Sequence, residues 1–314
     1  MKATSSSRNL RFIFLSVMVT VSLLTATQAD EITQSVNSTN DSSSNWNTAI
    51  WGDPAAVPSF GNSYISDGSI TPYLRTGNYN NANFDYTLTL INGVTLINKS
   101  SNVNFVDIIL EDNSVLHAGD NGNTFQETTT IYVAGGQSGT LYSDGNPNVR
   151  TQTFESIISG SGTLNASGFQ TSDSNIIDQS LNTFSGLWTV STSTLVGVSD
   201  GSLGTGSFEV NSGGVLDIQY GFSDSGTTSG LSVSTGGLFN LNSGITSYFN
   251  AVSLGGSALG AGTYSYGDLD GGQQAFFSDA DGTGSIVVIP ESSTLGLFLA
   301  GLFAAFCLMR RKGE

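Results

Sequence analysis

Short blocks in which small residues precede an apolar–polar–apolar run recur along this chain at nearly even intervals. The clearest are Gly213-Gly214-Val215-Leu216-Asp217-Ile218 and Gly236-Gly237-Leu238-Phe239-Asn240-Leu241. Looser copies are Asn113-Ser114-Val115-Leu116, Ser138-Gly139-Thr140-Leu141, Ser161-Gly162-Thr163-Leu164 and Ser185-Gly186-Leu187-Trp188. With Thr95, Leu116, Leu141, Leu164, Trp188, Leu216 and Phe239 as equivalents, the spacings are 21, 25, 23, 24, 28 and 23 residues. A second run often stands ahead of the glycines, as in Phe208-Glu209-Val210, Leu231-Ser232-Val233 and Ile131-Tyr132-Val133. Each unit reads as strand, glycine turn, strand and polar loop. Alternation puts one set of side chains inside, and glycine supplies the positive φ that tight corners require.

One such unit cannot bury its apolar side alone, whereas stacked units share a continuous core and pass backbone hydrogen bonds from coil to coil. The spacing therefore predicts an all-β parallel β-helix or solenoid of about 23-residue coils. A β-sandwich with strands roughly 8–12 residues apart is the alternative. The abundance of Gly, Ser, Thr and Asn weighs against helices, because these residues compete for backbone hydrogen bonds or cost entropy there.

Charge narrows the partners. Between residues 30 and 289 the basic residues are Arg75, Lys99 and Arg150, against 23 acidic ones, a net charge of −20. Such a surface repels phosphates, so nucleic acid is not an expected partner. The single cysteine, Cys307, lies in a C-terminal apolar run, which leaves the central region without a thiol for a disulfide, a zinc site or nucleophilic catalysis.

The two ends read as targeting segments. Lys2, Arg8 and Arg11 precede an apolar stretch, Phe12 to Leu24, and Thr27-Gln28-Ala29 is a small-residue cleavage site, so residues 1–29 are a signal peptide. At the other end, Pro290-Glu291 and a Ser/Thr spacer lead into an uncharged run from Leu295 to Met309, followed by Arg310, Arg311 and Lys312. A helix of that run reaches about 22 Å, short of a bilayer's roughly 30 Å hydrocarbon core, and the basic cluster belongs on its cytoplasmic side.

This tail resembles the PEP-CTERM sorting domain of exopolysaccharide-producing Gram-negative bacteria, with Ser292 where the family has its second proline. The resemblance implies an exosortase-type processing enzyme as partner. It also implies export to the envelope, cell surface or medium, with transient or permanent membrane anchoring through residues 295–309. The repeat region resembles the passenger domains of autotransporter-like and PEP-CTERM proteins. The organisation that follows is a cap with first strands at 30–91, a solenoid at 92–248, a C-terminal cap at 249–288 and the sorting segment at 289–314.

Candidate sites are few. Trp46 and Trp51, in Asn45-Trp46-Asn47-Thr48-Ala49-Ile50-Trp51, serve either as a cap over the first coil or as a sugar-stacking platform, with Trp188 and Tyr132 as further stacking candidates. His117, the lone histidine, alternates with Leu116 and is expected to face outward. The acidic pairs Glu111-Asp112 and Asp268/Asp270 are the nearest to the paired carboxylates of a β-helix polysaccharide-degrading enzyme, the less favoured alternative; the first, if in a strand, points to opposite faces. Asp279 and Asp281 echo the start of a calcium loop, but position 12 is Pro290 and lacks the carboxylate. No catalytic residue is assigned. The expected function is a non-enzymatic structural or adhesive protein of an extracellular polysaccharide matrix, with a carbohydrate-binding surface protein as the alternative.

Overall fold

The computed structural model describes residues 30–38, 45–78, 81–119, 123–126, 129–145, 148–223, 229–279 and 283–289. The expected signal peptide at 1–29, the motif Pro290-Glu291, the run 295–309 and the Arg310-Arg311-Lys312 cluster lie outside the described residues, as do Asp281 and the side chain of Asp279. Among the described residues no helix is long and apolar enough to cross a membrane.

Among the described residues two long sheets, of thirteen and ten strands, are built from short, mostly parallel strands, and a three-stranded sheet closes the C-terminal side. This is a parallel β-solenoid, and its register explains the repeat. In the ten-stranded sheet Leu74, Leu96, Leu116, Leu141, Ala166, Val190, Val210, Val233 and Leu254 stand directly over one another, 20 to 25 residues apart in sequence. All nine are buried. Strands such as Thr163–Gly168 alternate half-buried and buried positions along their length, so period-two patterning fills the interior from both sheets. The buried apolar residues form one cluster running from Trp46 to Val288.

The equivalences inferred from the repeat are corrected in register and in sheet: Thr95 lies opposite Val115 and Leu164 opposite Gly139. Leu116, Leu141, Leu164 and Trp188 belong to the ten-stranded sheet, whereas Leu216 and Phe239 belong to the thirteen-stranded one. A coil turns two tight corners, each flanked by alternating strands, and the sequence gives both the same signature. Within the later corners the paired glycines divide the labour. Gly213 and Gly236 adopt φ of +77° and +83°. A Cβ on Gly214 would lie 2.4 Å from the Val190 carbonyl oxygen, and one on Gly237 2.7 Å from that of Val210. The first glycine makes the turn and the second admits the neighbouring coil.

The interior is not wholly apolar. Asn123, Gln152 and Asn175 are in register on adjacent strands of the thirteen-stranded sheet, and all three are buried. Asn175 Nδ2 donates to the Ser167 carbonyl at 3.1 Å, and Ser143 Oγ donates to Asn175 Oδ1 at 3.1 Å. Next to this polar file runs an aromatic one: Phe125 and Phe154 stack at 4.9 Å with planes 6° apart.

At the C-terminal side Ser285–Val288 pairs parallel with Thr246–Phe249 and antiparallel with Gly262–Ser265. The change to antiparallel pairing ends the parallel ladder that would otherwise present an open edge.

Candidate functional site

The aromatic residues considered for sugar stacking are mostly inside. Trp46, Trp51 and Trp188 are at most 1% exposed. Trp46 stacks on Phe84 at 5.2 Å, and Trp51 meets Tyr64 edge-on at 4.9 Å while its Nε1 donates to the Trp46 carbonyl at 2.8 Å. Trp188 Nε1 donates to the Leu203 carbonyl at 3.0 Å. A ring that faces a packed core offers no face to a sugar, so the stacking platform expected of these three tryptophans is withdrawn. Tyr132 is exposed, on the strand Thr130–Val133.

The acidic pairs are accounted for by local structure. Glu111-Asp112 lies in the turn after Asn102–Leu110, not in a strand, and Asp112 has φ of +51°. The Asp268 carboxylate accepts from the Ser265 amide at 2.9 Å and hydroxyl at 2.6 Å, and these bonds lower its pKa. Asp270 Oδ1 caps the short helix Gly271–Gln274, accepting from the amides of Gly272 at 2.9 Å and Gln273 at 2.8 Å. Both carboxylates are committed to capping. Among the described residues no three His, Cys, Asp or Glu side chains are grouped to hold a metal ion.

A different constellation forms where four neighbouring strands of the ten-stranded sheet end. In register across Tyr73–Arg75, Thr95–Asn98, Ser114–Ala118 and Ser138–Ser143 stand Arg75, Ile97, His117 and Tyr142. Two residues further on, where each chain leaves its strand, come Lys99, Gly119 and Asp144. Lys99 is tied at both ends: its amide donates to Thr76 Oγ1 at 2.8 Å and its Nζ to the Gly119 carbonyl at 2.9 Å. Asn37, Tyr73, Lys99, His117, Asp144 and Arg150 line a cleft of about 540 Å³.

The cleft wall is fixed by a buried carboxylate. Asp173 accepts four backbone N–H bonds, from Gly145 at 3.1 Å, Arg150 at 2.9 Å, and Phe169 and Gln170 at 3.0 Å each. That clamp sets where Arg150 emerges, just ahead of the strand Thr151–Phe154. His117 is on the outer face yet only 20% of its side chain is exposed, and its Nε2 lies 3.5 Å from Asp144 Oδ2. Its ring meets that of Tyr142 edge-on at 5.3 Å. Burial pushes the His117 pKa below its ordinary value; Asp144 opposes the shift, and the charges of Lys99 and Arg150 add to it.

Sequence reasoning passed over this cleft because its cations are far apart in the chain. The signal was nevertheless there: Lys99 follows Arg75 by 24 residues and Arg150 follows Lys99 by 51, close to one and two coils. In a solenoid, residues one period apart become neighbours.

No family model matches this chain, and neither a curated protein nor a solved structure matches it.

Proposed function

We propose that this chain is an exported, non-enzymatic structural or adhesive rod of an extracellular polysaccharide matrix, delivered through its signal peptide and PEP-CTERM-like tail. The observation that carries this reading is the unbroken parallel register from Leu74 to Leu254, a stiff scaffold with a continuous core. A net charge of −20 over residues 30–289 keeps such a rod dissolved in the medium and away from nucleic acid and anionic lipid. The Asp268 and Asp270 carboxylates accept capping hydrogen bonds from their own turns, which supports a structural part for that acidic pair.

The test is the intact mass and C-terminal peptide of the mature protein from its native host. A C-terminus near Pro290-Glu291, with the apolar run removed, is the expected outcome of exosortase-type sorting. A chain that retains Glu314 would make it a simple anchored rod and withdraw the processing partner.

A further inference from the structure

We infer that the cleft walled by Lys99, His117, Asp144 and Arg150 binds an acidic sugar residue, a hexuronate, through its carboxylate. This deepens the matrix role proposed above and rests on it for where the ligand is met, while the binding itself belongs to the folded chain.

The first argument is the placement of charge. Residues 30–289 hold three Lys and Arg against 23 acids. Two of the three line this one cleft, and the third, Arg75, is in register with Ile97, which also lines it. A surface that repels anions elsewhere therefore gathers its few cations here, beside the Asp144 carboxylate. The cations come from separate coils: Lys99 Nζ is held on the Gly119 carbonyl, and the Asp173 clamp fixes the backbone from which the Arg150 side chain leaves. Arg75, 3% exposed, lies one coil away with its Nη2 donating to Asn78 Oδ1.

The second argument is the rest of the lining. The volume of about 540 Å³ falls within the roughly 300–1,000 Å³ of ligand pockets. Tyr73, 46% exposed, gives a ring face on which the apolar side of a pyranose can lie. Asn37 offers an amide, and Asp144 offers an acceptor for a sugar hydroxyl. Cations, a ring face and an acceptor carboxylate together suit a ligand that carries an anionic group, hydroxyls and an apolar face. The acidic surface beyond the cleft turns away a long uniform polyanion, so the ligand is a chain end or a short segment.

The full chain, purified in a mild detergent, is titrated calorimetrically with trigalacturonate and with neutral galactotriose. Trigalacturonate is expected to bind, to weaken as salt is raised, and to outbind galactotriose by about tenfold. The Lys99→Gln/Arg150→Gln double variant is expected to lose about tenfold in affinity for trigalacturonate only. Arg150→Gln alone keeps the backbone bond to Asp173 and serves if the double variant fails to fold; about a threefold to fivefold loss is expected. Equal binding of both sugars, no binding, or affinity unmoved by these substitutions overturns the inference. So does salt-sensitive self-association that these substitutions abolish without any sugar binding, which would assign the cleft to the acidic face of a second copy. None of these outcomes bears on the mature C-terminus, so the matrix role stands or falls separately.

Discussion

Asp173 and Gly145, 28 residues apart in the chain, touch so closely that a Cβ built on the glycine would lie 1.9 Å from Asp173 Oδ1. The carboxylate cannot swing aside, because three other backbone amides hold it. Gly145→Ala is therefore expected to destabilise the fold by about 2 kcal/mol, the scale of an overpacked core site. Asp173→Ala removes an acceptor shared by four amides, of which Phe169 keeps the Ser143 carbonyl, and is expected to cost about 3 kcal/mol or more. Urea denaturation of each variant measures both, and a midpoint unchanged in Asp173→Ala would contradict the clamp.

Gln152 sits in the buried file between Asn123 and Asn175, and neither its Oε1 nor its Nε2 has a hydrogen-bond partner among the described residues. Burying an unpaired amide is unfavourable, and Met has nearly the same shape. Gln152→Met is expected to raise stability by about 1 kcal/mol, read as a higher urea midpoint at constant slope. A lower midpoint would mean that the amide is bonded in solution.

The Phe125–Phe154 stack predicts a steep contrast between two phenylalanines only fifteen positions apart. Phe154→Ala removes a fully buried ring and is expected to cost about 3–5 kcal/mol. Phe169 is 54% exposed on the same coil, and Phe169→Ala is expected to stay within about 0.5 kcal/mol of the parent. Comparable losses from both would overturn the assignment of inside and outside.

His117 gives the fold a pH dependence whose sign follows from its lowered pKa. Above the ordinary value of 6.5 the imidazole is neutral in both states and its contribution is constant. As pH falls through 6.5 the unfolded chain takes up a proton that the folded chain refuses, so stability falls until the lower folded pKa is passed. His117→Gln removes this component, and the wild-type minus variant stability is expected to decline between pH 7 and pH 5.5. Nuclear magnetic resonance titration of the single imidazole gives an independent reading; a midpoint above 6.5 would reverse the sign.

Much of the fold was legible because a solenoid writes its geometry locally. Leu116 and Leu141, or Val210 and Val233, announce one coil each, and their period alone implies stacking. What the pattern could not separate was which corner a Gly pair occupies, since Gly135-Gly136 leads into the ten-stranded sheet and Gly213-Gly214 into the thirteen-stranded one. The buried Asn123–Gln152–Asn175 file was hidden for a related reason: in an Asn-rich chain, an inward amide looks like any outward one. Trp188 and the sugar-stacking alternative for Trp46 and Trp51 misled in the opposite direction, because a large aromatic suits both a core and a sugar site. The cleft required contacts between coils. Arg75, Lys99 and Arg150 carry no local motif, and their closeness exists only after the coils are stacked.

The position of that cleft along the rod has a mechanical meaning. From Leu116, beside His117, to Leu254 in the last coil there are six steps of the ladder. At about 4.8 Å each they separate the cleft from the C-terminal exit by about 29 Å. The solenoid is thus a fixed-length spacer: the cleft is held at a set distance from the last coil, and each coil added or removed would change that distance by a single strand spacing.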